Sequence, residues 1–223
     1  MKEHVVKIKS ITFINYNVLR IVVERPDDYD FEPGQATEVS INQDKWKDEK
    51  RPFTFTSLPT DRVLEFTIKI YPEHNGVTEK LSKLEKGDEL ILREVFGAIK
   101  FKGDGIFLAG GAGVTPFISI LRSLEYEDKL GNNQLIFANT TKKDIFLEEE
   151  FNNLLGNRYT NILSEEETQK YAKGYMDKDF LKSKIPHFSQ FFYVCGPMEM
   201  INSVVEDLKE LGADDDKIVT EEY

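Results

Sequence analysis

Ile106-Phe107-Leu108-Ala109-Gly110-Gly111-Ala112-Gly113-Val114-Thr115-Pro116-Phe117-Ile118-Ser119-Ile120-Leu121 runs from a continuous apolar stretch through glycines into a helical pattern. A short apolar run bounded by turn residues predicts a strand buried on both faces. Phe117, Ile118, Ile120, Leu121 and Leu124 then recur at helical spacing. The segment between them, Gly111-Ala112-Gly113-Val114-Thr115-Pro116, can hold a phosphate. Glycine lets the backbone approach a pyrophosphate closely, and a new helix presents unpaired N–H groups and the positive end of its dipole. Thr115 suits the cap of that helix and Pro116 its first position, where a missing N–H costs nothing. A tight strand-to-helix turn with no ligand is the alternative that the loop alone leaves open. The loop departs from the usual dinucleotide fingerprint: proline replaces the third glycine, and no Asp or Glu ends the next strand, where Asn139-Thr140-Thr141-Lys142-Lys143 follows.

Downstream, Leu135-Ile136-Phe137-Ala138 and Phe191-Phe192-Tyr193-Val194 predict two more buried strands. Residues 200–211 predict a helix ended by Gly212, and residues 217–220 a last strand. Strands alternating with helices imply a doubly wound parallel sheet. Upstream the period changes to two. Val6, Ile8 and Ser10 alternate with lysines, Leu19, Ile21 and Val23 alternate likewise, and Phe66, Ile68 and Ile70 alternate with Thr67 and Lys69. Pro33-Gly34 fits the centre of a type II turn, and Gly87-Asp88 a turn before a strand at 89–93. One short helix interrupts, with Thr78 as its expected N-cap and Leu81 and Leu84 on its buried face. Short strands at regular spacing predict an antiparallel β-barrel. The expected architecture is therefore two domains, a β-barrel over residues 1–102 and an α/β doubly wound parallel sheet over residues 103–223.

Of the 223 residues, 40% are hydrophobic and 31% charged, which suits a globular protein with a core. No apolar run approaches the roughly 20 residues of a membrane span, and the N-terminal residues lack a signal-peptide pattern. The net charge of −11 argues against non-specific nucleic-acid binding. With one cysteine and three scattered histidines, the chain has no four-cysteine cluster and no metal-ligand spacing. A cytoplasmic, metal-free monomer is the simplest reading. The acidic runs 148–150, 165–167 and 214–216 read as solvated helix ends or loops.

Arg51-Pro52-Phe53-Thr54 opens another strand. Arginine can pair with a phosphate, an aromatic can stack on a ring system and a hydroxyl can hydrogen-bond to it; taken alone, the tetrapeptide reads as an alternating strand after a surface arginine. In sequence order, Phe31-Glu32-Pro33-Gly34-Gln35, Arg51-Pro52-Phe53-Thr54, Gly76-Val77-Thr78, Gly87-Asp88, the loop 111–116, Cys195-Gly196-Pro197 and Glu221-Glu222-Tyr223 resemble the motifs of the ferredoxin–NADP reductase superfamily of flavoproteins. The resemblance runs across nearly the whole chain and turns the first domain into a flavin domain and the second into an NAD(P) domain.

That resemblance implies hydride transfer from NADH or NADPH to FAD, with FMN an alternative flavin, and then one-electron steps to a separate carrier. It places Arg51 at the flavin phosphate, Phe53 against the isoalloxazine and Thr54 near flavin N5. It gives Gly76, Val77 and Thr78 to the flavin pyrophosphate, and Gly111, Gly113, Thr115 and Pro116 to the coenzyme. Cys195, with Gly196 and Pro197 shaping its turn, belongs beside the nicotinamide; Glu221 and Tyr223 match a carboxylate and an aromatic that act at the flavin. Phe53 and Thr54 stand where the family more often has tyrosine and serine, changes that keep the stacking face and the hydroxyl. Thr140 and Tyr175 stand where NADPH users commonly place arginine; Lys142 and Lys143 could substitute, but lysines on a loop are more often solvated, and the reading leans toward NADH. Flavodoxin or ferredoxin is the leading acceptor by resemblance, although both are typically acidic and a chain of net charge −11 repels them unless a basic patch faces the flavin. A reductase component of an oxygenase, a reductase of free flavin or quinone, and a non-catalytic nucleotide-binding module are the alternatives.

Overall fold

The structure is a computed structural model and describes residues 2–71, 76–97 and 99–221. The chain divides into two compact units, Met1–Ala98 with Thr115–Ser123, and Ile99–Val114 with Leu124–Tyr223.

The first unit is an antiparallel sheet of β1 (His4–Phe13), β2 (Val18–Glu24), β3 (Ala36–Ile41), β4 (Arg51–Thr54), β5 (Val63–Lys69) and β6 (Glu89–Phe96), in the order β4-β3-β6-β1-β2-β5. Its two edges meet through a bridge between Phe55 and Phe66 and a 2.8 Å bond from the Thr56 amide to the Glu65 carbonyl, which nearly closes the barrel. The inward residues of the expected alternation, Val6, Ile8, Leu19, Ile21, Val23 and Phe66, are buried in one core. Phe55 and Phe66 are fully buried with ring centroids 5.3 Å apart, and Phe31 stacks on Phe55 at 4.3 Å. Burying each such side chain is worth roughly 1.5–3 kcal/mol, so the bridge that joins the edges also contributes to the core. Pro33-Gly34 forms the expected turn: Gly34 has φ 91°, open to glycine without strain, and the Gln35 amide donates to the Glu32 carbonyl.

Two local expectations are corrected. Helix α1 (Val77–Leu81) is capped by Gly76, not by Thr78. The helix starts two residues earlier because Val77 is an apolar anchor with 2% exposure, and the Thr78 hydroxyl accepts from the Tyr71 amide at 3.5 Å instead. Leu81 and Leu84 are buried as expected. The second correction concerns β5, whose alternation predicts a solvated face; Glu65 and Thr67 on that face are buried. The first nine residues of the helix α2 (Thr115–Tyr126) belong to this unit, and Arg122 lies on the strand: its Nη1 donates to Glu65 Oε1 at 2.7 Å and to the Thr56 carbonyl at 2.6 Å.

The second unit is a parallel sheet of β7 (Gly105–Gly110), β8 (Gln134–Asn139), β9 (Tyr159–Leu163), β10 (Ala172–Lys173), β11 (Phe191–Cys195) and β12 (Ile218–Thr220), ordered β10-β9-β8-β7-β11-β12. Helices α3 (Glu148–Leu155), α4 (Lys178–Lys184) and α5 (Met198–Glu210) complete it. Ile106, Leu108, Ile136, Phe192 and Val194 pack with Ile201, Val204 and Leu208 of α5. On the other face Phe107 stacks on Tyr193 at 4.6 Å. Strand order reverses between β7 and β11, which makes a switch point at their carboxyl ends, the place where open α/β sheets bind ligands. Strands β9 and β10 are additions to the expected set. Among the described residues, no helix is long and apolar enough to cross a membrane.

Burial pushes the Glu65 carboxyl up, but the adjacent Arg122 and Arg20 guanidiniums outweigh it and hold the group below its ordinary value. A carboxylate depressed in the folded state contributes stability above its unfolded value, about 4.3, and loses it as pH falls through the lower folded value. Urea unfolding at pH 7 and at stepped acidic pH is expected to show Glu65→Gln less stable than the parent above pH 5, with the gap closing under acid. A gap that stays constant or widens under acid contradicts the ionised pairing.

Candidate functional site

The switch point is built from backbone. The turn Gly111–Val114 follows β7, is wound as one 3-10 turn, and runs straight into α2. A Cβ at Gly113 would overlap the Cys195 carbonyl, so the turn presses directly on the end of β11. Gly113 is therefore demanded by the protein's own packing, whether or not a ligand approaches. Thr115 is the first α-helical residue, not the cap, because the 3-10 turn already starts the helical winding. Pro116 becomes the second residue, still among the first four positions whose N–H has no partner within a helix.

Cys195 is the last residue of β11 and 4% exposed. Its Sγ lies 3.8 Å from Glu221 Oε2, and burial followed by the Glu221 carboxylate pushes the thiol far above the ordinary range. It is a neutral donor, not a thiolate nucleophile. Register explains the pairing: Val194 of β11 lies beside Thr220 of β12, so the residues one step on, Cys195 and Glu221, meet at the carboxyl edge. Gly196 and Pro197 follow, with Pro197 preceding α5. Tyr223 lies outside the described residues.

On the barrel, β4 is an edge strand paired to β3 with Phe53 opposite Thr37 and Thr54 opposite Ala36. Pro52 is tolerated there because an edge strand can spare an N–H. Arg51 is exposed, donating from Nη1 to the Lys50 carbonyl at 2.6 Å and lying 3.6 Å from Glu49. Such an exposed pair holds it weakly and leaves it available to a phosphate. Phe53 and Thr54 are half-buried, and Phe53 also packs against the barrel core. Gly76 and Thr78 are half-buried at the start of α1, with Val77 inside.

The loops beyond β8 and β9 hold further polar residues that belong to none of the motifs. Asp144 turns back onto Thr141, accepting from its amide at 3.0 Å and its hydroxyl at 2.9 Å. The spacing Thr141-x-x-Asp144 is a capping signature that could have been read from the sequence. Glu166 accepts from the Lys142 amide at 2.8 Å and pairs with its ammonium at 3.3 Å, stitching the two loops together. Asn139, at the end of β8, is buried, and both ends of its carboxamide lack a hydrogen-bond partner among the described residues. A buried amide left unpaired is costly, and a bound ligand or an ordered water is what ordinarily completes one.

Residues 3–94 match the family model of an FAD-binding domain, and residues 107–206 that of an oxidoreductase NAD-binding domain. Barrel, switch-point sheet and these matches define an FAD-dependent NAD(P)H oxidoreductase. The chain belongs to the ferredoxin–NADP reductase-like superfamily. It is 27% identical over 221 residues to NADH-cytochrome b5 reductase 2 of Mycosarcoma maydis, covering 88% of this chain and 62% of that protein. It is 25% identical over 230 residues to the reductase component of propane 2-monooxygenase of Rhodococcus jostii, covering 92% of this chain and 59% of that protein. The chain thus spans about three fifths of the length of these two relatives. In fold it is similar to the flavohem-like FAD/NAD-binding domain of nitric oxide dioxygenase from Vibrio cholerae, with a TM-score of 0.85 at 21% identity over 97% of this chain and 96% of that one.

Gly113→Ala is expected to destabilise the protein by roughly 1–3 kcal/mol, the usual penalty for forcing atoms into a filled space. Because the strain falls on the turn that the resemblance gives to the coenzyme, the purified variant should keep its flavin spectrum and lose most of its bleaching by nicotinamide coenzyme. Unchanged bleaching in an absorbance titration is the contrary result.

Proposed function

We propose that this chain oxidises NADH in preference to NADPH and hands the electrons singly, through FAD, to a separate haem carrier of the cytochrome b5 kind. The observation that carries the coenzyme choice is the charge on the loops beyond β8 and β9. Asp144 and residues 165–167 are four acids set against Lys142 and Lys143, the candidate cations there, and Lys142 is already paired with Glu166. A 2′-phosphate brought to those loops meets like charge, whereas a ribose hydroxyl meets acceptors. The acceptor rests on the relatives: several are named NADH-cytochrome b5 reductases. The propane 2-monooxygenase relative favours a second reading, the reductase component of an oxygenase. Flavodoxin or ferredoxin, the acceptors favoured by the motifs alone, find no such support among these names.

The residues present suit both groups. Arg51 has a weakly held guanidinium for a phosphate, Phe53 and Thr54 offer a ring and a hydroxyl on an edge strand, and the Gly111–Val114 turn offers amides. The orphaned Asn139 amide has room in its hydrogen-bonding for a coenzyme group or a water. Bound FAD supplies the chemistry of accepting a hydride and releasing electrons one at a time. In this reading residues 1–102 form the flavin domain and 103–223 the coenzyme domain. Cys195 places the nicotinamide as a neutral donor, and Glu221 holds the thiol in that role. Thr54 hydrogen-bonds at the flavin's reacting edge.

The purified protein is expected to be yellow. Without oxygen its flavin band should bleach faster with NADH than with NADPH, and the reduced protein should reduce cytochrome b5 faster than flavodoxin or ferredoxin. A colourless protein after incubation with FAD and FMN sinks the enzymatic reading. Faster bleaching by NADPH sinks the coenzyme assignment, and a slow reaction with cytochrome b5 sinks the acceptor.

A further inference from the structure

Two residues beyond Thr54, the strand of the flavin motif ends in a buried ionic cluster. Thr56 is fully buried and all its polar groups are engaged. Its amide donates to the Glu65 carbonyl at 2.8 Å, and its hydroxyl donates to Glu65 Oε1 at 3.0 Å and lies 3.2 Å from the Thr67 hydroxyl. Its carbonyl accepts from Arg122 Nη1 at 2.6 Å, and the same guanidinium nitrogen reaches Glu65 Oε1 at 2.7 Å. The second carboxylate oxygen, Oε2, takes Arg20 Nε at 2.6 Å, and the Glu65 amide donates to Ser57 Oγ at 3.1 Å. One carboxylate, its side chain 7% exposed, thus holds the Thr56 hydroxyl, Arg20 of β2 and Arg122 of α2.

Burying such a cluster is not the cheapest way to gain stability, since apolar residues of similar volume do as well or better. What it provides is direction: each guanidinium bond fixes an angle that apolar packing leaves soft. The directions matter because of what the two partners carry. Thr56 continues the strand of Arg51, Phe53 and Thr54. Arg122 sits on α2, which starts at Thr115 directly after the Gly111–Val114 turn. A second buried tie, from the Gly34 amide to Ser119 Oγ at 3.0 Å, holds the same helix at the turn of the Phe31–Gln35 motif.

We propose that Glu65 and Arg122 are positioning residues for hydride transfer: their pair locks the flavin-motif strand and the helix that follows the coenzyme turn into one rigid piece. They touch neither flavin nor coenzyme, and they act by keeping the Thr54 strand and the start of α2 in fixed register. Reacting groups held a fraction of an ångström out of place react more slowly without being bound less well. This inference rests on the assignment of the flavin motif and the coenzyme turn made above.

The test uses the FAD-loaded protein with Glu65→Gln, Arg122→Met, Arg122→Lys and the double variant Glu65→Gln/Arg122→Met. Flavin content, NADH dissociation constant and the limiting rate of anaerobic flavin reduction are measured for each by absorbance and stopped flow. Glu65→Gln and Arg122→Met should each lower the limiting rate by about tenfold, with flavin content and NADH affinity nearly unchanged. Arg122→Lys should recover part of the loss, and the double variant should be no slower than the worse single one. Unchanged limiting rates, losses that track flavin or coenzyme affinity, or a double variant as slow as the product of the singles each overturn the proposal. If Glu65→Gln does not fold, the comparison of Arg122→Met with Arg122→Lys decides, because Arg122 is the more exposed partner. A parent protein that holds flavin but is not reduced by NADH fails the proposed function itself, which sets that failure apart from a failure of the pair.

Discussion

Where the Gly111–Val114 turn meets the end of β11, main chain packs on main chain, and a single added methyl at Gly113 has nowhere to go. Much of the second unit is arranged around that contact. The reversal of strand order brings β7 and β11 together as neighbours, and their carboxyl ends emerge side by side. One end supplies the amides of a helix start and the other supplies Cys195. The parallel register of β12 then sets Glu221 against the Cys195 thiol. Tight backbone packing is a demanding solution, tolerant of few residues, and it gives a rigid floor on which a flat ring can be placed reproducibly.

The barrel solves a different problem. Its β4 edge must remain open enough to offer Phe53 and Thr54, yet an edge strand with few partners frays. Order is restored just past the motif: Phe55 bridges to Phe66 in the core, and Thr56 is held by Glu65 and Arg122. The edge strand is thus anchored by its buried continuation. The cost of keeping Glu65 ionised inside is offset by two guanidiniums and the Thr56 hydroxyl, so the carboxylate is not left unpaired.

Some of this was legible in the sequence and some was not, for identifiable reasons. Strands β7, β8 and β11 announce themselves because strands buried on both faces are apolar without interruption. The strand β9 does not, because Tyr159-Thr160-Asn161 looks polar; the Tyr159 hydroxyl bonds to Asn161 and the two are buried together. Two residues of β10 are too few for any period. Threonine caps helices well in general, which points to Thr78, whereas a buried valine decides the start of α1 here. Glu65 defeats an alternation rule because its partner Arg122 is remote in sequence and becomes adjacent only in the fold. Cys195 and Glu221, which belong to separate motifs, lie together at the carboxyl edge, Asp144 is legible only as the end of a capping signature, and the burial of Asn139 has no sequence pattern.

The central claim is that this chain moves a hydride from NADH to a flavin it holds itself. Single-turnover reduction of the FAD-loaded protein without oxygen, comparing NADH with NADH deuterated at each face of C4 in turn, tests it most directly. Hydride transfer between two fixed rings predicts slower flavin bleaching with deuterium on one face only. Bleaching at the same rate with either deuterated coenzyme would point to a different rate-limiting event, and no bleaching at all would contradict the account.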